Sequence, residues 1–232
     1  MAVSDAPAPV RIRRAALKLF AARGFEATGI REIAETAAIP TSLLYHYRRS
    51  KEEILRDLIV DGLSRHLESS RRALELARTP EEKVRVLVTV HVLVPLRNPE
   101  MARVMETEVR SLSASSQEIV RGKRIEGDER WEAVLREGVE SGVFTVPDPH
   151  LARLLLLRMC TGIGSWYTPN HPLGVDELVG RLTDHALAFL RAKRAGKEVL
   201  GEAVSRPALG DIQALVDLAH RDDDSGQQPQ RD

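Results

Sequence analysis

Hydroxyl and imidazole side chains are concentrated in the seven-residue segment Thr41–Tyr47, which reads TSLLYHY. Such side chains can hydrogen-bond phosphate oxygens, which position a protein on a duplex, or base edges, which specify a sequence. Within the segment, Leu44 can face a core while the polar side chains face outward. A short polar helix that stands alone is more often plain scaffold, so the neighbouring elements must support a nucleic-acid role.

The chain before Thr41–Tyr47 predicts two helices and two tight turns. Apolar side chains follow one face of the first helix, at Ile12, Ala15, Ala16, Leu19 and Phe20. Gly24 is expected to end that helix in a left-handed conformation, and Thr28 to cap the second helix. Pro40 breaks the second helix, because it lacks an N–H and disfavours helix at the preceding residue. Helix, turn and short helix in this order are typical of a helix-turn-helix, whose second helix enters the major groove.

The N-terminal segment is basic although the whole chain is neutral. Residues 10–51 contain nine basic and three acidic residues, whereas the full chain has 34 Lys and Arg against 34 Asp and Glu. Cations clustered on one module steer that module towards the phosphate backbone. The charge distribution therefore favours a DNA-binding head on a balanced body.

The rest of the chain predicts helices and no strands. Ser50 and Thr79-Pro80 are start signals, because a hydroxyl cap precedes acidic residues and Pro suits the first helical position. Helices are expected at about 51–78, 100–112, 115–141, 148–167 and 175–195. Another helix is expected to begin at Pro80 and to end between Pro95 and Pro99. A further helix is suggested by Ile212, Leu215, Val216 and Ala219. We expect an all-α protein with an unstructured segment 1–9, a head at 10–56, a larger helical domain at 57–195 and a partly unstructured extension at 196–232.

The composition disfavours secreted, membrane-spanning, metal-dependent and catalytic proteins. Cys160 is the only cysteine, so no internal disulfide can form, and it lies in an apolar run where a small buried residue is expected. The first nine residues lack the features of a secretion signal, and no apolar run approaches the roughly 20 residues of a membrane span. The histidines show no i, i+4 ligand pair. We expect a cytoplasmic protein with no catalytic residue, no metal and no cofactor.

Residues 10–56 resemble the head of TetR/AcrR family regulators in order and spacing. The matching residues are Ala15-Leu17-Phe20-Ala21-Gly24-Phe25-Thr28, Ile30-Arg31-Glu32-Ile33-Ala34, Leu44-Tyr45-His46-Tyr47 and Ser50-Lys51-Glu52-Glu53-Ile54-Leu55. The resemblance implies a three-helix helix-turn-helix head and a larger helical domain that binds a ligand and dimerises. Two positions depart from the family pattern. Ala38 stands in the turn where the family often has Gly, and Arg48, where an apolar residue is usual, is expected to extend outward towards a phosphate.

Carried over to matching positions, the resemblance implies two sets of DNA contacts. The residues expected at base edges are Thr41, Ser42, Leu43 and His46. Those expected at phosphates are Thr28, Tyr45, Tyr47 and Lys51, and Arg31 fits either set. Phosphate contacts fix the register of the head, and only the base-edge set can specify a sequence. For Tyr45 and Tyr47 an ordinary core role stays open.

The back half resembles a TetR subgroup that includes repressors of steroid-ring and fatty-acid breakdown that respond to acyl-CoA thioesters. The matching stretches are Glu137–Phe144, Asp148-Pro149 and Gly162–Pro169. A helical sensing domain takes its ligand between helices, in an apolar lining with a few polar groups. The candidates are Met101, Met105, Trp131, Leu135, Arg158, Met159, Gly162, Trp166 and Tyr167. Arg158 lies in an apolar run, where a lone cation needs a partner such as a ligand carboxylate or an acid across the dimer.

The two helices expected at 148–167 and 175–195 have broad apolar faces, and the resemblance makes them a homodimer interface. Their apolar residues are Leu151, Leu154, Leu155, Leu178, Leu182, Ala186 and Phe189. In such a dimer, two heads that lie one turn of the DNA double helix apart read the two halves of a palindrome. We expect a repressor that a small molecule, an acyl-CoA thioester or another lipophilic compound, releases from its operator. The alternatives are a drug-responsive efflux regulator of the same family, a body without a small ligand, and a helical enzyme.

Overall fold

The structure, a computed structural model, describes residues 6–168, 170–200, 204 and 209–220. The described part of the chain is helical apart from one short hairpin, which confirms the all-α prediction. Its elements are α1 Ala8–Arg23, α2 Ile30–Thr36, α3 Thr41–Tyr47, α4 Lys51–Leu74, α5 Pro80–Arg97, α6 Pro99–Thr107, α7 Ala114–Glu140, α8 Pro149–Thr161, α9 Val175–Phe189, β1 Lys193–Arg194, β2 Lys197–Glu198 and α10 Leu209–His220. Most of the segment 1–9 that was expected to be unstructured lies outside the described residues, while α1 already begins at Ala8.

Contacts among the described residues divide the chain into two compact units. Of the described residues, the first unit contains those up to Arg65, the segment Asn98–Lys123 and Asp217–His220. The second unit contains the described residues of His66–Arg97 and Arg124–Val216. The first unit takes in more than the head predicted at 10–56, because side chains of α6 and early α7 share its apolar core. The helices α4 and α7 supply residues to both units.

The first unit is organised around one apolar core. Its largest fully buried side chains are Phe20, Ile33, Leu44, Leu55, Leu58 and Ile59. The segment 98–123 adds Met101, Val104, Leu112 and Val120 to the same cluster. Burying one such large apolar side chain contributes about 1.5–3 kcal/mol. Helices as short as α2 and α3 are not stable in isolation, so this core, and not helix propensity, holds them in place.

The turns of the first unit follow the predicted signals, with one correction. Gly24 ends α1 with φ +84°, the left-handed region that favours glycine. The hydroxyl of Ser50 accepts a hydrogen bond from the N–H of Glu53 at 3.1 Å, which confirms it as a cap of α4. The N-cap of α2 is Gly29 and not Thr28. Thr28 is buried, and its hydroxyl donates to the carbonyl oxygen of Gly24 at 2.8 Å.

The second unit is built around α5, in which every residue from Val84 to Leu93 is buried. Helices α8 and α9 pack against it, and Trp131 and Leu135 of α7 belong to the same core. The start of α5 matches the prediction, because Thr79 and Glu82 exchange two hydrogen bonds between side chains and backbone N–H groups.

The predicted ends of the long helices are less accurate. Helix α4 ends at Leu74 and not near residue 78. Helix α5 ends at Arg97, within the predicted Pro95–Pro99, and runs through Pro95. A proline removes one backbone hydrogen bond, which the burial of α5 compensates. Helix α8 ends at Thr161 and is followed by a 3-10 turn at Gly162–Ser165.

Helix α9 ends at Phe189 and not near residue 195, because the chain turns back to bond the segment after α7. The N–H of Thr145 donates to the carbonyl oxygen of Leu190, and the N–H of Lys193 donates to that of Val143. Strands β1 and β2 then pair antiparallel. The further helix expected beyond residue 196 is confirmed as α10. No helix in the described part of the chain is both long and apolar enough to span a bilayer.

Candidate DNA-binding and effector sites

Helix α3 is anchored on one side and open to solvent on the other. Leu44 is fully buried, while Ser42 and His46 are exposed one turn apart on the same face. The predicted bounds of α3 are confirmed, because Pro40 before the helix and Arg48 after it both have an extended backbone conformation. A row of hydroxyl and imidazole groups therefore faces solvent on a helix held by a single buried leucine.

The other predicted contacts of α3 flank this row. Tyr45 and Tyr47 are 50% and 36% exposed, which speaks against the core role left open for them. Thr41 and Leu43 are half-buried. The rings of His46 and Tyr47 meet edge to face, with centroids 5.4 Å apart. The exposed rings could contact sugar and phosphate beside a groove.

The turn between α2 and α3 is made without glycine. Ala38 adopts φ +52°, and its N–H donates to the carbonyl oxygen of Glu35 at 3.0 Å. A guanidinium N–H of Arg11 donates to the carbonyl oxygen of Ala38 at 3.2 Å. A left-handed conformation costs an L-residue with a side chain about 1–2 kcal/mol. The structure thus accommodates the departure from the family pattern as local strain at an exposed alanine.

Lys51, which is expected to contact a phosphate, is held in place by Phe25. Its ammonium donates to the carbonyl oxygen of Phe25 at 2.7 Å and lies 4.0 Å from the centroid of the Phe25 ring. An ammonium has three N–H donors, so the contact with Phe25 leaves donors for a second acceptor. The phosphate role of Lys51 stays a prediction, now with a fixed position for the charge.

Two acidic residues that sequence reasoning missed fix the first unit from within. A carboxylate oxygen of Glu108 accepts the N–H of Phe25 at 3.1 Å, across 83 residues of sequence. Glu52 accepts the N–H and hydroxyl of Ser113, and hydrogen bonding from Ser116 is the main cause that holds the pKa of Glu52 below its ordinary value. No spacing in the sequence could have revealed contacts so distant along the chain.

Thr28 and Arg31 differ sharply in their exposure. Arg31 is exposed on α2, as a DNA contact requires. Thr28 is buried and its hydroxyl is already used, which counts against a direct phosphate contact by that group.

The basic character of residues 10–51 is partly offset by acidic residues further along the chain. Arg13 pairs with Asp61, and Arg48 pairs with Asp57 at 2.9 Å. The Arg48 guanidinium is thus paired with Asp57 in the single chain, and its contact with a phosphate stays a prediction. The exposed cations Arg31 and Arg49 lie near the ends of the helix-turn-helix and carry more of its available charge.

The candidate effector residues divide between the two units. Met101 and Met105 lie in the first unit, where their sulfur atoms would stand 3.1 and 3.0 Å from a Cβ added to Gly62. The close packing of both methionines on a glycine of α4 explains their places without a ligand. The other seven candidates lie in the second unit.

The candidates in the second unit range from fully buried to exposed. Trp131 and Leu135 are fully buried in the main core, and Met159 and Tyr167 pack against it. Gly162 is half-buried. The structure brings Trp131, Leu135, Met159 and Tyr167 around one core. It leaves Trp166, which is 49% exposed, and Arg158 at the surface.

The buried cation of α8 is Arg153 and not Arg158. Arg153 is 4% exposed and pairs with Asp128 at 2.6 Å and Glu132 at 3.0 Å. Arg158 is exposed in the single chain, so a ligand carboxylate or an acid across the dimer as its partner stays a prediction. The run of leucines looks uniformly apolar in the sequence, while only one face of the helix is buried.

An apolar face of α8 is exposed in the single chain. Leu151, Leu154 and Leu155 are exposed and share that face with Arg158, and Phe189 of α9 is exposed as well. The other residues predicted for the dimer interface, Leu178, Leu182 and Ala186, are buried in the core of their own unit. Those three are unavailable to a partner, because α9 turns that side towards α5.

Two observations on the described residues bear on a thiol nucleophile and on a metal site. Burial raises the pKa of the Cys160 thiol to about 12, which leaves it protonated and weakly nucleophilic. No group of three or more His, Cys, Asp or Glu side chains in the described ranges could hold a metal ion.

Two family models match the chain along most of its length. Residues 12–58 match bacterial regulatory proteins of the tetR family, and residues 77–190 match a tetracyclin repressor-like C-terminal domain. The chain is also 32% identical to the HTH-type transcriptional repressor KstR2 of Rhodococcus jostii (strain RHA1), over 69% of this chain and 80% of that protein. The chain belongs to the TetR family. It is thus a transcriptional regulator of the helix-turn-helix type.

Solved structures of TetR regulators share the fold. PfmR of Thermus thermophilus is 32% identical, with a TM-score of 0.71 over 78% of this chain and 98% of PfmR. FadR of Bacillus subtilis, solved in complex with stearoyl-CoA, is 19% identical, with a TM-score of 0.67 over 77% of this chain and 97% of FadR. At that lower identity the likeness to FadR concerns the fold alone.

Proposed function

We propose that this TetR-family protein is a homodimeric repressor that binds a palindromic operator through α3 and is released from it by an acyl-CoA thioester. The observation that carries the proposal is the exposed row of Ser42 and His46 on a helix anchored by Leu44. We assign the protein to the cytoplasm and assign it no catalytic activity.

The proposed DNA contacts follow from the exposure of each side chain. Ser42 and His46 read base edges in the major groove, with Thr41 and Leu43 at the margins of the contact. Tyr45, Tyr47, Arg31 and Lys51 hold phosphates on either side, and Thr28 supports the loop from within. A phosphate contact made by a cation releases counterions, so the affinity for any duplex falls as salt rises.

The proposed dimer uses the exposed face of α8. Three leucines on one face and Phe189 would lose their exposure to water against a second copy, and apolar burial stabilises by about 25 cal/mol per Å². A two-fold axis presents the same face twice, which matches the two heads to the two halves of a palindrome. Arg158, on the same face, would meet the partner.

The effector class is proposed from the lining of the second unit and from the named ligands of related proteins. Trp131, Leu135, Met159 and Tyr167 are apolar or aromatic, which suits an acyl chain. FadR of Bacillus subtilis binds stearoyl-CoA, and KstR2 is named as a repressor. An effector shifts the protein off DNA only if it binds the released state more tightly than the DNA-bound state.

Genomic footprinting with the purified protein, followed by release assays, tests the proposal. We expect inverted repeats whose half-site centres lie about 10 base pairs apart or a multiple of that distance. Isovaleryl-CoA, octanoyl-CoA and palmitoyl-CoA would be added to the complex, with free CoA as the control. Release by at least one thioester and not by CoA supports the proposal. Release only by lipophilic drugs would favour the efflux regulator, and the absence of protected sites would contradict DNA recognition itself.

A further inference from the structure

Three aromatic side chains of the second unit, two histidines and a tryptophan, contact one another in sequence. The rings of His66 on α4 and His91 on α5 lie 4.3 Å apart, and those of His91 and Trp131 on α7 lie 5.5 Å apart. The Nε2 atom of His91 is 3.1 Å from Nε2 of His66 and 3.4 Å from the indole Nε1 of Trp131. His91 and Trp131 are buried, so each N–H of these two rings needs an acceptor.

The surroundings of His91 determine where its proton lies. Its Nδ1 atom is 2.8 Å from the carbonyl oxygen of Leu87, so Nδ1 must carry a hydrogen and donate it. Burial lowers the pKa of His91 to about 4, which makes the ring neutral at physiological pH. A neutral imidazole carries one hydrogen, so Nε2 of His91 presents a lone pair.

That single lone pair faces two donors. His66 must donate its Nε2–H, because Nε2 of His91 has no hydrogen to give, and the indole N–H of Trp131 points to the same atom. One lone pair supports one good hydrogen bond, and the Trp131 N–H makes the longer of the two contacts, a hydrogen bond of 3.4 Å.

Ser70 of α4 supplies a second buried donor in the second unit. It lies one turn after His66 on the same face, and its hydroxyl is buried with no hydrogen-bond partner in the described part of the chain. The unit that carries most of the candidate effector residues thus holds one buried donor with a long hydrogen bond and one with no partner. A site with spare donors suits a ligand that brings an acceptor oxygen.

We infer that the Trp131 N–H and the Ser70 hydroxyl form an anchor for a neutral carbonyl oxygen of the effector, with His91 orienting the indole. The inference rests on the proposed function and names the effector atom that is read, the carbonyl of the thioester. A carboxylate is disfavoured, because a buried anion needs a paired charge and these donors are uncharged. The anchor therefore discriminates an acyl thioester from the free acid and from a thioether of the same length.

Indole N–H signals in a nitrogen–proton correlation spectrum test the anchor directly. The chain has two tryptophans, so two signals are expected, and Trp166→Phe assigns them. Palmitoyl-CoA should move the Trp131 signal downfield, as a new acceptor would. S-hexadecyl-CoA, which lacks the carbonyl, should move it much less. Equal shifts with both compounds, or no shift of Trp131 with bound palmitoyl-CoA, would overturn the anchor.

Calorimetric affinities give a second measurement. Wild type should bind palmitoyl-CoA about tenfold more tightly than S-hexadecyl-CoA, the worth of one hydrogen bond. Trp131→Phe and Ser70→Ala should each reduce this preference, and Trp166→Phe, the same change at an exposed tryptophan, should keep it. Equal affinities in wild type overturn the anchor and leave the thioester effector intact. If wild type binds neither CoA compound, both the proposed effector class and the anchor are refuted. If wild type binds palmitate and neither CoA compound, the preference for a neutral carbonyl is refuted as well.

Discussion

The ammonium of Lys51 donates a hydrogen bond of 2.7 Å to the carbonyl oxygen of Phe25 and lies over the ring of the same residue. At the same time, the N–H of Phe25 donates a hydrogen bond to a carboxylate oxygen of Glu108. The loop after α1 is therefore held through both its backbone polar groups and its side chain. A cation positioned so firmly at the start of α4 can meet a phosphate with little loss of side-chain entropy.

Lys51→Ala should weaken binding to every duplex by a similar factor, because a phosphate contact carries no sequence information. The slope of log K against log salt should become shallower by about one unit. Fluorescence anisotropy with an operator and a scrambled duplex at several salt concentrations measures both effects. Lys18→Ala removes the same charge from an exposed position on α1 and should leave the slope nearly unchanged. A slope that responds to Lys18 and not to Lys51 would refute the assignment.

Ala38→Gly should stabilise the protein by about 1 kcal/mol, because glycine adopts φ +52° without strain. Ala38 is exposed, so the substitution removes no buried contact. The midpoint of urea unfolding measures the change. Ala133→Gly, at an exposed position within α7, should instead destabilise by about 1 kcal/mol. Destabilisation by both substitutions would show that the turn is not strained in solution.

Leu155→Lys should convert the dimer to a monomer, because it places a charge in the apolar face of α8. Sedimentation velocity at micromolar concentration measures the oligomeric state, and footprinting should show loss of the palindromic site. Leu76→Lys changes a similarly exposed leucine beyond the end of α4 and serves as the control. A Leu155→Lys protein that remains dimeric would exclude this face as the interface.

The stability of the protein should fall as the pH drops from about 6.5 to about 4, because of His91. The pKa of His91 is lowered in the folded protein, so the unfolded chain takes up the proton first. The contribution of His91 is complete above about pH 6.5 and decreases by up to about 3 kcal/mol at about pH 4. His91→Gln should reduce the pH dependence of the urea midpoint in this range. His46→Gln, at an exposed histidine, should not change it.

Local signals predicted the helix-turn-helix closely. Pro40 and the single inward leucine of α3 gave its bounds, and Gly24 and Ser50 marked turns that the structure confirms. Each of these depends on the conformational limits of one residue or on one hydrogen bond within a few positions. Contacts of that range are visible in a sequence.

Long-range pairings could not be predicted in the same way. The choice between Arg153 and Arg158 depends on which side of α8 meets Asp128 and Glu132, and the leucine-rich sequence gives no sign of it. The end of α9 likewise depends on hydrogen bonds to residues 143–145. The role of Glu108 and the His91 network also required elements far apart in the sequence to meet.

The central claim, that the exposed row of α3 reads DNA sequence, is tested most directly by the affinity of His46→Ala for an operator and for a scrambled duplex over a range of salt. The account predicts that the variant loses about 10- to 100-fold of the preference for the operator, while its affinity for scrambled DNA and its salt slope stay those of wild type. A wild-type protein without salt-sensitive DNA affinity, or a His46→Ala protein that keeps the full preference, would contradict it.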